Sequence, residues 1–277
     1  MTSDAGIDAL AGQSPVIAPP LPRVDDPRGD APRSVATAEN PGGAGPMPGP
    51  LDCVIAHNRY GTYCIPAASR ERVAARKVAA GGVWEPRTIE VLRAALAEGD
   101  VVHAGTYFGD FLPALAAACP AGHRVWAFEP NSENHRCARM TLALNGIDGR
   151  IVLTEAGLGA AESDALLVTH ARDGTARGGA SSIAATGRMP EGADGEQVRI
   201  TAVDAVVPAS RHVAAIQLDV EGYETAALEG ALATIARCRP RLILEQVPDQ
   251  RWMDTHLAPL GYREVDRFEN NSHVIAE

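Results

Sequence analysis

Three short apolar runs in this chain each stop at a carboxylate. Val125-Trp126-Ala127-Phe128 ends at Glu129, Ala214-Ala215-Ile216-Gln217-Leu218 at Asp219, and Leu242-Ile243-Leu244 at Glu245. If the runs are neighbouring strands of a parallel sheet with right-handed crossovers, the three acids meet at the carboxyl ends of the strands, where such sheets bind ligands. Asp219 is followed by Val220-Glu221-Gly222. Positions 219 and 221 face the same side if the strand continues through them. Acids gathered this way welcome positive charge and can take a proton from a reacting hydroxyl. Each acid alone reads equally well as a helix cap or a surface residue. The coincidence of three at one edge is the signal.

The element that would position them is Val101-Val102-His103-Ala104-Gly105-Thr106-Tyr107-Phe108-Gly109-Asp110. An apolar run breaks at Gly105, a second glycine follows at 109, and Phe111 to Ala118 reads as a helix. Asp110 is its expected N-cap, and Pro113 in the first turn costs no intrahelical donor. Glu129 comes roughly twenty residues after the glycines, the offset at which an acid can accept both hydroxyls of an adenosine ribose. Only two glycines are present, separated by bulky Tyr107 and Phe108, and no Lys-Ser/Thr phosphate pair follows. The spacing suits a nucleoside ligand without phosphates, held by its amino-acid end and its ribose; S-adenosylmethionine is the common one. A tight turn without a ligand is the plain alternative.

The expected cofactor contacts are therefore His103, Gly105, Thr106, Tyr107, Gly109 and Asp110 in the turn, and Glu129, Pro130 and Asn131 after the second strand. Asp219 joins them from the central strand. Gly157 and Leu158, in the small-residue stretch Ala156-Gly157-Leu158-Gly159 after the strand Ile151-Val152-Leu153, would lie flat against an adenine. An ordinary glycine turn fits that stretch equally well. Glu85 precedes Pro86 and is expected in an extended conformation, since proline disfavours helix at the residue before it. Its carboxylate points either into the site or to solvent at a helix start.

The 277 residues suffice for one substantial α/β domain and a tail, and the net charge of −10 is spread along the chain, which argues against a general nucleic-acid or acidic-membrane binder. Cysteines 53, 64, 119, 137 and 238 are scattered and odd in number. They read as reduced thiols of a cytoplasmic protein. No apolar run reaches membrane-spanning length. Residues 1–50 are rich in proline and glycine and read as a disordered tail. Residues 51–98 read as a small cap: a hairpin around Asn58-Arg59-Tyr60-Gly61, a helix capped by Ser69 and running to about Ala80, and a helix from Pro86 to about Ala97. Residues 99–277 form the expected catalytic domain.

Within that domain, Asn131 or Ser132 starts a helix with Cys137, Met140 and Leu144 on its apolar stripe, closed by Asn145-Gly146. Leu166-Leu167-Val168 looks like a strand. From His170 to Gly195 the chain reads as a long loop of the kind used for lids. Ser181 and Ser182, and the loop arginines 172, 177 and 188, are its candidates for touching a polar substrate. After Gly222 a helix carries Leu228, Leu232 and Ile235. Gly261 to Val265 and His273 to Ala276 read as a closing antiparallel hairpin. His57, His170 and His273 are isolated, and isolated histidines are more often structural than catalytic.

The order of these motifs resembles the FkbM family of S-adenosylmethionine-dependent methyltransferases. The strongest piece is Ile216-Gln217-Leu218-Asp219-Val220-Glu221-Gly222-Tyr223-Glu224, similar to the family's Ile-Asp-Val-Glu-Gly-x-Glu. Val125 to Asn131, Leu144-Asn145-Gly146 and Gly179-Ala180-Ser181-Ser182 match as well. The first turn departs from the family's Asp-x-Gly-Ala-Asn-x-Gly, with His103 in place of the acid, so Asp110 or Glu85 would have to hold the cofactor's amino group. The resemblance implies a class I methyltransferase fold, a Rossmann-like, seven-stranded, mostly parallel sheet with a C-terminal antiparallel hairpin. It also implies O-methylation of a sugar, glycan or natural-product hydroxyl.

Asp219 or Glu221 is the expected base and Glu245 the residue orienting the acceptor. A magnesium-assisted version would use Asp219 and Glu221, but no third acid lies nearby in sequence and no metal is expected. Rival readings are an N-methyltransferase acting on a small molecule, a nicotinamide-dependent oxidoreductase, and a non-catalytic relic serving as a binding partner. A homodimer is compatible with all of them.

Overall fold

The computed structural model describes residues 50–276. The tail expected over residues 1–50 lies almost wholly outside the described residues. The chain opens with a hairpin, β1 (Cys53–Asn58) and β2 (Gly61–Pro66), followed by helices α1 (Val73–Ala79) and α2 (Pro86–Ala95). Next come β3 (Asp100–Ala104), α3 (Leu112–Ala118), β4 (Val125–Phe128), α4 (Ser132–Asn145) and β5 (Ile151–Thr154). The middle of the chain holds β6 (Gly157–Leu158), β7 (Ser163–His170), β8 (Ser182–Ile183), β9 (Asp194–Thr201) and the short α5 (Val203–Val206). Then follow β10 (Val213–Leu218), α6 (Glu224–Glu229), α7 (Leu232–Cys238), β11 (Arg241–Leu244), α8 (Gln250–His256), β12 (Tyr262–Phe268) and β13 (Asn271–Ala276).

The central sheet has seven strands in the order β12-β13-β11-β10-β3-β4-β5; β11, β10, β3, β4 and β5 run parallel, and β13 is antiparallel to β11. Strand β3 is buried along its whole length, as strands covered on both faces are. Alternation sorts its residues. Val102 and Ala104 pack with Ile216, Leu228 and Ile235 on the α6/α7 face, while Val101 packs with Ile89, Leu92 and Leu115 on the α2/α3 face. The chain passes from β3 outward through β4 to β5, then returns to lay β10 on the other side of β3. That reversal is the crevice where sheets of this kind take ligands.

Several elements depart from the sequence reading. Helix α3 is capped by Phe111 rather than Asp110, and no side chain caps it. Asp110 is drawn into the interior, where it is buried and lines a cavity. Ser69 does not cap a helix either. It ends a single 3-10 turn, and α1 starts at Val73 after Arg72. Of the expected stripe Cys137 is buried, but Met140 and Leu144 are exposed, and α4 buries Ala138, Thr141 and Leu142 in their place. Thr141 explains part of this: its hydroxyl donates to the Phe108 carbonyl at 2.8 Å and accepts the Cys64 N–H at 3.1 Å, so a polar residue faces inward. Asn145 grips Thr62 through both backbone groups, and the β1-β2 hairpin is thereby fixed on α4.

Residues 160–200 are more ordered than expected: β6-β9-β7-β8 form a second, four-stranded sheet. The helix after Gly222 is broken at Gly230 into α6 and α7. Asn131 caps α4 by accepting the Asn134 N–H, and Gly146 closes it in the left-handed conformation. Among the described residues no helix is long and apolar enough to cross a membrane.

Candidate functional site

Two adjoining cavities open at the carboxyl ends of β3, β4, β10 and β11, sharing Gly105, Gly179 and Asp219. The first is a slot of about 30 Å³ lined by Phe128, Glu129, Pro130, Gly157, Leu158, Leu167, Ser181, Ile183, Asp219 and Tyr223. Its lining is mostly apolar, with Glu129, Ser181 and Asp219 as the polar exceptions beside Tyr223. A slot that narrow holds little more than a water, so seating an aromatic base there requires its walls to part.

Glu129 is held rigidly at the slot's mouth. Its Oε2 accepts the Tyr107 N–H at 2.7 Å, its Oε1 accepts the Asn131 N–H at 2.9 Å, and Asn134 Nδ2 approaches at 3.4 Å. The Tyr107 N–H reaches it because Tyr107 sits at φ 52°, a left-handed conformation that non-glycine residues rarely adopt. Burial pushes the Glu129 carboxyl up to about 7 despite those donors. Gly105, at φ +83°, cannot be replaced: a Cβ there would lie 1.9 Å from the Asp219 carbonyl oxygen. The close approach of the glycine turn to the end of β10 is thus built into the backbone.

The second cavity, about 380 Å³, contains most of the charge. Six carboxylates line it (Glu71, Glu85, Asp110, Asp219, Glu221 and Glu245) beside Arg72. Burial, reinforced by the charge of Glu85, pushes Asp110 up to about 8. Asp219 is driven well above the carboxylate range, first by burial and then by Glu245. Glu85 and Glu221 are also raised by burial and neighbouring acids. His103, 2% exposed, stacks on Phe111 and shares a 2.5 Å hydrogen bond between its Nδ1 and Gln217 Oε1. Burial lowers its pKa to about 4, so it is neutral at physiological pH.

Two expectations about conformation are corrected here. Glu85 is not extended but left-handed, at φ 40° and ψ 61°. Its buried carboxylate, which accepts Asn271 Nδ2 at 2.7 Å from the distant β13, holds it there. The strand carrying Asp219 stops at Leu218, so period-two alternation does not align positions 219 and 221. A turn with Glu221 at φ 54° and Gly222 at φ 94° brings them together instead. Three non-glycine residues in left-handed conformations, Glu85, Tyr107 and Glu221, therefore ring one cavity. Strain of that kind concentrates at functional sites.

His103, Gly105, Tyr107, Asp110, Glu129, Pro130, Gly157, Leu158 and Asp219 line one or other cavity, as do Glu85, Glu221, Glu245 and Ser181. Asn131, Thr106 and Gly109 stand behind the lining. Asn131 caps α4 and supports Glu129, and the Thr106 hydroxyl donates to the His103 carbonyl at 3.4 Å. Ser182 belongs to β8, one residue beyond the lining Ser181. His57, His170 and His273 line neither cavity. Sequence reasoning missed Gln217, although a polar residue inside the run Ala214 to Leu218 was a readable signal. It also missed Trp84, Leu167 and Tyr223, which reach the cavities only through tertiary packing.

A family model described as the methyltransferase FkbM domain matches residues 103–265. No curated protein matches the chain. Among solved structures, the methyltransferase FkbM from Methylobacillus flagellatus is similar at 18% identity and a TM-score of 0.41, covering 64% of this chain and 43% of its own. This chain thus spans less than half of that protein. A methyltransferase from Geobacter sulfurreducens is similar at 15% identity and a TM-score of 0.40, covering 70% of this chain and 79% of its own. The magnesium protoporphyrin IX methyltransferase of Synechocystis, solved with bound S-adenosylmethionine, is similar at 11% identity and a TM-score of 0.39, covering 76% and 90%.

Proposed function

The chain belongs to the FkbM methyltransferase family, and we propose that it moves the methyl group of S-adenosylmethionine onto a hydroxyl of a sugar, glycan or natural-product precursor. The observation that carries this reading is Glu129. Its carboxylate is fixed by two backbone N–H donors at the mouth of an apolar slot, one wall away from a cluster of acids. Oε2 keeps a lone pair for one ribose hydroxyl, and Oε1, which accepts from Asn131 and at 3.4 Å from Asn134, gains one for the other when the long Asn134 contact gives way. The slot takes the adenine against Gly157 and Leu158. The sulfonium then lies beside Asp219, which lines both cavities. The amino group falls to Asp110 and Glu85, which take over the work that neutral His103 cannot do.

Methyl transfer is an in-line displacement, so the enzyme chiefly aligns three atoms. The acceptor oxygen forms a bond to the methyl carbon as the carbon–sulfur bond breaks. The electron pair stays on sulfur, leaving neutral S-adenosylhomocysteine. The hydroxyl proton passes to Glu221, whose raised affinity for protons suits a general base. Glu245 orients the acceptor and Ser181 contacts it from the lid side.

The test is incubation of the full chain with methyl-labelled S-adenosylmethionine and a panel of glycans and polyhydroxylated small molecules, read by mass spectrometry. Label on an acceptor oxygen is expected. Calorimetry showing no binding of S-adenosylmethionine would remove the reading altogether.

A further inference from the structure

One oxygen from each of Asp219, Glu221 and Glu245 lies within 4.8 Å of the other two. Carboxylates in that relation need a proton or a cation between them. Two further polar atoms at this cavity are sealed from solvent and have no partner: Glu245 Oε2, and Nε2 of His103, whose side chain is 2% exposed and lines the same wall. The His103 ring cannot turn to escape. Its Nδ1 is tied to Gln217 and its face is stacked on Phe111.

Charge counting gives the same direction. The cofactor assumed above brings a sulfonium and an ammonium against one carboxylate, a single net positive charge. The cavity offers six carboxylates against Arg72. The carboxylates lining the cavity therefore outnumber the positive charges that the cofactor and Arg72 bring. A triangle of hard oxygens of this span matches ions that coordinate at roughly 2.1–2.6 Å and keep some water or substrate ligands.

The geometry points to a divalent-cation site formed by Asp219, Glu221 and Glu245 at the carboxyl ends of β10 and β11, taking magnesium, manganese or calcium beside the cofactor and leaving a position for an acceptor oxygen. The third ligand comes from an adjacent strand, 24 residues beyond Glu221 in sequence. The inference rests on the methyltransferase reading for the acceptor's place, though not for the cation itself. With the ion bound, the acceptor hydroxyl is acidified by coordination and the unligated oxygen of Glu221 takes its proton.

The probe is manganese, titrated into the full chain and followed by loss of the free aqueous ion's electron paramagnetic resonance signal, with and without S-adenosylmethionine. One site is expected, weakened at least tenfold in Asp219→Asn and in Glu245→Gln. The two cluster variants remove like-charge repulsion, so both should keep the near-ultraviolet circular dichroism of the folded chain. Absence of binding at millimolar manganese overturns the site. So does equal binding by the variants, and so does full methyl transfer in excess chelator onto an amine, which would make the acceptor itself the positive partner. Calorimetry with S-adenosylmethionine separates the two ideas. Cofactor binding without manganese binding removes the cation alone, and manganese binding without cofactor binding removes the methyl-transfer reading alone.

Discussion

Asp100 and Asp219 stand at opposite ends of the same pair of strands, and the protein treats them in opposite ways. Asp100, at the start of β3, is 1% exposed and fully paired. Arg211 reaches it with two nitrogens at 2.7 and 2.5 Å, Trp126 Nε1 donates at 2.8 Å and the Arg124 N–H at 2.9 Å. Asp219, just past the end of β10, meets mainly other acids: Glu245, Glu85 and Glu221 all raise its pKa. Both are acids at strand ends in one sheet. The first has been compensated by the chain's own cations and dipoles, as a structural acid must be. The second is left for something the chain does not supply. Compensation, rather than burial or position, separates scaffold from site.

The contrast predicts opposite consequences for the same chemical change. Glu221→Gln and Asp219→Asn should lower turnover by about 10²–10⁴ while leaving the melting temperature equal to or above that of the parent chain. A melting temperature that falls sharply in these variants would mean the cluster is a stabilising network after all. Gly105→Ala forces a Cβ against the Asp219 carbonyl and abandons a favourable positive φ. It should cost more than ~3 kcal/mol in denaturant unfolding. Asp100→Asn leaves Arg211 without its counter-charge and should cost about 2–3 kcal/mol, discounted because that arginine is partly solvated. Its affinity for S-adenosylmethionine should stay within twofold of the parent by calorimetry. A large loss of cofactor affinity in Asp100→Asn would erase the distinction between the two ends.

The smallest effect concerns pH. Asp110 and Glu129 are pushed up to about 8 and about 7 by burial, so the folded chain holds protons that the unfolded chain has released. Stability from these two groups is complete below the ordinary carboxylate range and is lost as pH rises through about 8. The melting temperature of the ligand-free chain should therefore decline between pH 5 and pH 8.5, and Asp110→Asn should flatten that slope. An unchanged slope in Asp110→Asn would show that its carboxyl is already ionised and compensated. By the same linkage, binding an ammonium at Asp110 expels a proton, and cofactor affinity should rise over this range.

What could be read in advance was local. The run into Gly105, the acid at 129, the Asn131 cap and the Gly146 stop depend on neighbours a few residues away, and each lies where its residue type demands. The family motif around Asp219 was legible for the same reason. Long-range ties erased the rest. Nothing near Glu85 in sequence announces Asn271, the partner that holds it in a left-handed conformation 186 residues away. The sequence neighbours of Asp110 favour a cap there, and only the cavity behind it explains why it turns inward. Met140 and Leu144 fit an apolar stripe in sequence, but α4 packs through Thr141 because the hairpin and the glycine turn need its hydroxyl. Glu245 is legible at the same sheet edge from the strand order; only the magnesium reading, which counts along the chain, leaves it out, although β10 and β11 are adjacent.

The central claim is that a sulfonium nucleoside lies across these strand ends with its ribose on Glu129. A crystal structure of the full chain with S-adenosylhomocysteine tests it most directly. Both ribose hydroxyls are expected within hydrogen-bonding distance of the Glu129 carboxylate, the adenine between Gly157-Leu158 and a displaced Leu167-Ile183 wall, and the thioether facing Asp219. Ligand density elsewhere, with Glu129 still bonded only to its own backbone donors, would contradict it.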